Sequence, residues 1–210
     1  CEKSPHTVNL LRQQHKKPAG QANFCLSDYI APKSSNLTDY LGAFVVCSGS
    51  ELDELSIFYE KNNDDYNSIM VKALADRFAE AFAEKLHQDV RTNYWGYAKN
   101  EQFNNEELIK ESYTGIRPAP GYPACPDHTH KSVIWELLNV EKEIGVKLTE
   151  SYAMHPGASV SGWYFANKEA RYFGIGKVDE SQVLDVSRRK KNSLEEVEKW
   201  LAPVLSYSRG

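Results

Sequence analysis

The chain has 210 residues and a mass of 23.8 kDa, and its 25 Lys and Arg against 29 Asp and Glu give a net charge of −4. The mildly acidic balance argues against a nucleic-acid-binding protein, and no apolar run approaches the about 18 residues of a membrane-spanning helix. The four cysteines have neither disulfide-framework nor zinc-site spacing, and the first residues given do not contain the apolar core expected of a signal peptide. We therefore expect reduced thiols and a cytoplasmic protein.

The first part of the chain predicts two short strands followed by a long helix. Residues 24–26 and 41–46 are apolar runs separated by the turn-rich segment 32–36. Over residues 66–90 the apolar positions change to helical spacing, which predicts one amphipathic helix with a single core-facing side. The residues expected on that side are Ile69, Met70, Ala73, Leu74, Phe78, Ala81, Phe82 and Leu86.

The middle of the chain predicts two more helices and then a return to strands. A short helix is expected over residues 106–111 and a longer one over 129–144, where Gly145 is a typical stop. Alternating stretches then predict strands, the last two of them joined as a hairpin by the polar turn Asn167-Lys168-Glu169. These predicted strands cover residues 152–154, 159–166 and 170–174.

Two terminal helices have readable starts, because residues 179–182 and 193–196 both fit capping boxes. The basic run 188–191 is expected near a helix carboxyl end, with an acidic electron-transfer partner as a less favoured role. Helices and antiparallel-looking strands are segregated along the chain, without regular β-α-β alternation. The pattern predicts an α+β fold, a twisted antiparallel sheet flanked by helices in a single domain.

The least ordinary segment is GIRPAPGYPACPDH, residues 115–128, which holds four prolines within nine residues. Such a segment cannot enter a helix or a central strand, so it predicts a stiff loop that is shaped before a ligand arrives. Arg117 offers a planar fork of donors to a carboxylate or phosphate, and Tyr122 offers an aromatic face to a cation or ring. Gly121 permits a close approach of the backbone. Composition alone fits a structural turn equally well.

Two other constellations point to different chemistry and carry less weight. Cys125, His128 and His130 could be metal ligands with Asp127 behind them, but no clear fourth ligand follows. Packing or loop hydrogen bonds explain them more simply. The Gly-Ile-Gly sequence at 174–176 lacks the third glycine of a dinucleotide-binding loop and has too little chain after it for a β-α-β unit.

The proline-rich loop resembles the S-adenosylmethionine-binding motif of the activation domain of cobalamin-dependent methionine synthases. The similarity continues in the same order through most of the chain. It includes ALADRFAEAF at 73–82, YWGY at 94–97, TESYAM at 149–154, PGASVSGWY at 156–164 and EKWLAP at 198–203. The resemblance implies that Arg117 holds the carboxylate of the ligand's methionine part. It also implies that Ala119, Gly121 and Tyr122 line the loop around the adenosine and the sulfonium.

The resemblance also implies binding positions outside the loop. Tyr172 and Phe173 match an aromatic pair of the family, whose second member is commonly Tyr, so a hydroxyl contact would be lost here. Glu80 and Glu111 match acidic positions near the ligand. Glu84 shares a face of the long helix with Glu80 but is expected to be an ordinary solvated residue. No catalytic residue and no metal site are implied, because reduced cobalt itself attacks the methyl carbon.

The function implied by the resemblance is binding of S-adenosylmethionine and presentation of its methyl group to inactive cobalamin, as part of a methyltransferase of methionine biosynthesis. The implied partners are the cobalamin-binding domain of the same enzyme and a flavodoxin-type electron donor. The family's domain starts upstream of Cys1 and supplies a further ligand-contacting Asp there. Residues 1–210 are thus expected to be the carboxyl-terminal part of that domain, inactive alone. The alternative is an interaction module that docks on a corrinoid-binding domain without binding S-adenosylmethionine productively.

Overall fold

The helices and strands below come from a computed structural model, which describes residues 6–49 and 51–208. The strands of that part are β1 (Gly42–Cys47), β2 (Lys147–Leu148), β3 (Met154–His155) and β4 (Ser159–Tyr164). Its α-helices are α1 (Leu52–Lys61), α2 (Asp65–Asp89), α3 (Asn105–Ile109), α4 (His130–Leu138), α5 (Val140–Ile144), α6 (Glu180–Lys190) and α7 (Leu194–Leu201). Turns of 3-10 helix cover Leu26–Tyr29, Lys33–Ser35 and Ala202–Val204, and a π-helical turn, Val90–Tyr94, continues α2.

The strands form two small antiparallel sheets, which confirms the predicted α+β class. β1 pairs with β4, so that Gly42 lies opposite Tyr164, and β2 pairs with β3 in a short ribbon. The predicted hairpin over residues 159–174 is wrong, since residues 170–174 form no strand and the partner of β4 lies more than a hundred residues earlier. Alternation in a sequence indicates an extended chain but does not identify its partner.

The long helix α2 packs through its small residues and not through its large ones. Ala75, Ala79 and Ala83 are buried, and Ala83 belongs to a cluster with residues of β1 and β4. Phe78 is 67% exposed, and the predicted core-facing side is therefore wrong. Periodicity cannot tell which of two apolar stripes is buried, and alanines let the helix lie closer to the sheet. The large exposed side chains of α2 are Tyr66, Ile69, Met70, Leu74, Phe78 and Phe82.

Two elements near the amino terminus differ from the predictions. The predicted strand over residues 24–26 is wrong, because the chain there enters the 3-10 turn Leu26–Tyr29 with Leu26 and Tyr29 buried. The helix α1 was not predicted, since it buries no apolar stripe. It meets α2 through a buried hydrogen bond between the hydroxyls of Ser56 and Ser68, 2.9 Å apart.

The remaining helices begin and end near the capping residues and the glycine stop that the sequence predicts. The amide of Gln182 donates to the side chain of Asp179 at the start of α6, and Ser193 caps α7 in the same way. The predicted helix over residues 129–144 is divided into α4 and α5 by Asn139, whose backbone is left-handed with φ 51°. It ends at Gly145 as predicted.

Two hydrophobic clusters hold these elements around the proline-rich loop. The larger cluster packs Trp163 and Phe165 against Ile134 of α4, and a second one lies beneath α6 and α7 around Val183 and Leu201. In the described part of the chain, no helix is long and apolar enough to cross a membrane.

Candidate functional site

A cleft of about 610 Å³ opens where the proline-rich loop meets β4, α2 and the segment 172–174. Residues predicted from the resemblance that line it are Glu80, Glu111, Arg117, Ala119, Tyr122, Tyr172 and Phe173. The structure thus brings these residues of four distant segments together, although their roles toward a ligand stay predictions. Gly121 is not among the lining residues and shapes the loop behind them.

Arg117 lies at one end of the cleft, with only 18% of its side chain exposed. Its Nη1 donates to the hydroxyl of Tyr113 at 2.8 Å, and its Nη2 lies 2.6 Å from Oε2 of Glu84. Its backbone amide donates to the hydroxyl of Tyr172 at 3.0 Å. The guanidinium is therefore held by groups of the protein on one side of the cleft. The expectation that Glu84 is an ordinary solvated residue is wrong, because it is the counter-ion of Arg117.

Two carboxylates line the cleft together with the basic side chains of Arg117 and Lys131. Glu80 is an exposed residue one helical turn before Glu84 on α2, and Glu111 follows α3 with a left-handed backbone, φ 54°. Burial raises the pKa of Glu111, and the charge of Glu84 adds to the increase while Arg117 opposes it. The charged residues that line the cleft are Glu80, Glu111, Arg117 and Lys131, whose formal charges cancel, so the cleft offers groups of both signs to a ligand that carries both.

The proline-rich loop is fixed by hydrogen bonds at both of its ends. The amide of Trp163 in β4 donates to the carbonyl of Pro118 at 3.0 Å, and the amide of Gly121 donates to the carbonyl of Cys125 at 2.7 Å. Gly162 makes the first contact possible, because a Cβ there would lie 2.9 Å from the Pro118 carbonyl. The loop backbone thus forms one wall of the cleft with little freedom to move.

Gly121 is required by two features of this loop. Its φ is +98°, and a Cβ there would lie 2.2 Å from the imidazole of His128. We expect Gly121→Ala to lower the free energy of unfolding by about 1–3 kcal/mol, as measured by urea denaturation. The control is Gly157→Ala, where a Cβ meets nothing within 4 Å. Equal effects of the two substitutions would show that the loop tolerates a side chain at Gly121.

The aromatic residues occupy different places around the cleft. Tyr122 is 62% exposed at its mouth, where its ring faces solvent. The hydroxyl of Tyr172 receives the hydrogen bond from Arg117, whereas Phe173 packs against Phe24 with ring centroids 5.8 Å apart. Only the first member of the pair therefore contributes a polar group.

The alternative constellations do not form sites of their own. Cys125 is buried with its Sγ 3.3 Å from Nδ1 of His130, and burial raises the pKa of this thiol. No group of three or more His, Cys, Asp or Glu side chains placed to hold a metal ion occurs within residues 6–49 and 51–208. At 174–176 the chain is a loop whose Ile175 amide donates to the carbonyl of Pro123, and α6 begins only at Glu180.

Two residues of the basic run at the end of α6, Arg189 and Lys190, form ion pairs within the chain. Lys190 forms an ion pair with the buried Asp127 of the proline-rich loop, and Arg189 pairs with Asp185 on its own helix. Burial opposes ionisation of Asp127, but His130 and Lys190 keep its pKa below the usual value. The pair of Lys190 with Asp127 ties α6 to the loop, and both pairs reduce the charge available to a partner.

Sequence analysis missed three residues around Arg117. Glu84 is its counter-ion, Tyr113 accepts its hydrogen bond, and Nδ1 of His87 lies 3.3 Å from its Nη1. Glu84 and His87 are three residues apart on α2, a spacing that indicates only that the two side chains lie on the same face of the helix. Their partner is thirty residues away along the chain, which no local pattern indicates.

Comparisons with known proteins identify the family of the chain and a solved structure of similar fold. A solved structure described as the MetH reactivation domain bound to AdoHcy superposes on the chain with a TM-score of 0.93 and 60% sequence identity. The match covers 97% of this chain and 63% of that chain, so this chain spans less than two thirds of that relative's length. The family model for the activation domain of vitamin B12-dependent methionine synthase matches residues 1–191. Since this match extends over most of its length, the chain belongs to the family of methionine synthase activation domains.

Proposed function

We propose that the chain binds S-adenosylmethionine in the cleft and presents its methyl group for the reductive methylation of inactive cobalamin held by another domain. The observation that carries this proposal is the relative at 60% identity, which is described as bound to AdoHcy. AdoHcy, S-adenosylhomocysteine, is the same molecule without the transferred methyl group. The relative therefore supports binding of this ligand over docking alone.

The cleft of this chain fits the ligand in size and offers side chains of both signs to its charged groups. A volume of about 610 Å³ lies in the range of small-molecule sites, about 300–1,000 Å³. S-adenosylmethionine carries one carboxylate, one ammonium and one sulfonium, a net charge of +1. Arg117 complements the carboxylate, and the carboxylates of Glu80 and Glu111 complement the two cationic groups. Tyr122 offers a ring face to the sulfonium or the adenine.

The residues of the cleft would hold the ligand and orient its methyl group. When bound, the ligand supplies a methyl group that is activated by its positive sulfur. Arg117 and the rigid wall formed by Pro118 and Ala119 set the orientation of the methionine part, while the exposed Tyr122 marks the open side of the cleft. The proposal needs no general acid or base from this chain, because the ligand carries its own activated methyl group.

The proposed partners follow from this chemistry. A cobalamin-binding domain of the same enzyme would face the cleft mouth beside Tyr122, and a flavodoxin-type donor would supply the electron. We place the protein in the cytoplasm, a proposal supported by the free thiols of Cys25, Cys47 and Cys125.

Equilibrium dialysis with labelled S-adenosylmethionine tests the binding proposal directly. We expect saturable binding of one ligand per chain, competed by S-adenosylhomocysteine. The same sample mixed with homocysteine should produce no labelled methionine until cobalamin, the rest of the enzyme and a reductant are added. Absence of binding favours the docking module, and methyl transfer by the chain alone contradicts the proposal.

The proposal predicts a dependence of affinity on pH through Glu111. Because the pKa of Glu111 is raised by burial, this carboxyl takes up a proton at a higher pH than an ordinary glutamate. A cationic ligand favours the ionised form, so we expect the affinity for S-adenosylmethionine to fall as the pH drops from about 7 to about 4.5. Calorimetry in two buffers of different ionisation enthalpy should show proton release on binding in this range.

The variant Glu111→Gln should weaken binding at neutral pH and remove the proton release. The control Glu106→Gln changes an exposed residue of α3 outside the cleft and should alter neither. Proton release that persists unchanged in Glu111→Gln would show that another group titrates with the ligand.

A further inference from the structure

His87 is fully buried near the carboxyl end of α2, and aromatic rings and one guanidinium surround its imidazole. Its ring stacks on Tyr164 with centroids 5.0 Å apart and meets Tyr113 edge-on at the same distance. Its Nδ1 lies 3.3 Å from Nη1 of Arg117, and its Nε2 lies 3.4 Å from the hydroxyl of Tyr97. Both nitrogens of a buried imidazole thus face polar groups.

The contact with Arg117 determines which nitrogen of His87 carries the proton. A guanidinium only donates hydrogen bonds, so Nδ1 must be the acceptor and the ring hydrogen must be on Nε2. Nε2 then donates to the hydroxyl of Tyr97. Burial, together with the charges of Arg91 and Arg117, lowers the pKa of His87 to about 2, which keeps the ring neutral at physiological pH.

Both hydrogens on Nη1 of Arg117 have an acceptor within the protein. Nη1 has two hydrogens, and Tyr113 and His87 accept them at 2.8 and 3.3 Å. Nη2 has one contact, with Glu84. In the described part of the chain this leaves the Nε hydrogen and one Nη2 hydrogen for a ligand. Two neutral acceptors therefore hold Nη1, while Glu84 is an anionic partner of Nη2.

We propose that His87 is a positioning residue, which acts with Tyr113 to turn the Nε–Nη2 side of Arg117 toward the carboxylate of the ligand. This inference rests on the proposed function, because it needs a carboxylate ligand in the cleft. Glu84 already pairs with Arg117, and a second anionic side chain in place of His87 would oppose binding of the ligand's carboxylate further. A neutral imidazole fixes the same geometry and adds no negative charge beside Glu84.

Two ligands separate positioning from a merely structural role. S-adenosylhomocysteine has the carboxylate, and 5′-methylthioadenosine lacks the whole amino-acid part. We expect His87→Phe, which keeps an aromatic ring against Tyr164, to weaken binding of S-adenosylhomocysteine about 10-fold or more in calorimetry. Binding of 5′-methylthioadenosine should change less than about twofold. His87→Asn, whose side-chain oxygen can take the place of Nδ1, should restore most of the affinity.

The outcomes of these measurements separate the role of His87 from the proposed function of the chain. Equal losses for both ligands in His87→Phe, or no loss for either, would overturn the role of His87 while leaving the proposed function intact. A wild-type chain that binds neither ligand would overturn the proposed function. If His87→Phe does not fold, the nitrogen-15 signals of the wild-type imidazole decide, because a hydrogen on Nδ1 rules out the acceptor role.

Discussion

Replacement of Arg117 by alanine is expected to weaken S-adenosylhomocysteine binding by about 2–5 kcal/mol, a loss of at least about 30-fold. The guanidinium is mostly buried, and its Nη1 and Nη2 are oriented by Tyr113 and Glu84. A carboxylate that meets it there exchanges its water for charge-assisted hydrogen bonds in a partly desolvated cleft. Calorimetry on the wild-type chain and on Arg117→Ala measures the difference.

Two controls separate ligand contact from damage to the fold. Arg188→Ala removes a guanidinium on the exposed side of α6 and should leave affinity unchanged. Arg117→Lys keeps the charge but loses the planar fork, so an intermediate affinity is expected. An affinity that is the same in Arg117→Ala and wild type would remove Arg117 from the binding site and with it the charge argument for the cleft.

The largest loss of stability is expected from the buried ion pair between Arg91 and Glu101. Their side chains are 0% and 3% exposed, and two hydrogen bonds of 2.6 and 2.7 Å join them. Arg91 also lies over the ring of Tyr113, 4.0 Å from its centroid. Replacing Arg91 by methionine leaves the carboxylate of Glu101 buried without its partner. We expect the free energy of unfolding to fall by about 3–5 kcal/mol in urea denaturation.

The matched control is Arg189→Ala, which breaks an exposed pair with Asp185 and should cost less than about 1 kcal/mol. The double variant Arg91→Met with Glu101→Leu removes both charges, so part of the lost stability should return. A loss of similar size in the double and the single variant would mean that packing, and not the uncompensated charge, dominates at this position.

Local signals in the sequence predicted the parts of the fold that depend on neighbouring residues. Asp179 and Ser193 cap their helices, and Gly145 ends α5, because each acts on backbone groups within a few residues. The pairing of β1 with β4 was not predictable from such signals. Alternation gives no register between strands that are far apart in the chain.

In the candidate site, too, the sequence predicted features of single segments but not contacts between distant segments. The composition of the proline-rich loop indicated a stiff segment that fitted a structural turn as well as a binding loop, and the resemblance supplied the residues that the fold gathers around the cleft. Neither the composition of the loop nor the resemblance predicted the partners of Arg117. Glu84 and His87 lie on α2, and only the packing of that helix through its alanines brings them against Arg117.

The packing of α2 also has a thermodynamic consequence. Phe78, Ile69 and Tyr66 stay in water after folding, so the helix gains little of the transfer free energy that its composition could supply. The stability of the helix must therefore depend more on intrinsic helix propensity, which is high for its alanine, lysine and glutamate residues. Dispersion contacts of the buried alanines with the sheet add to it. The stretch that carries Glu80 and Glu84 is thus held by its own backbone hydrogen bonds, by the buried alanines and by the ion pair of Glu84 with Arg117, while aromatic rings pack around His87 near the end of the helix.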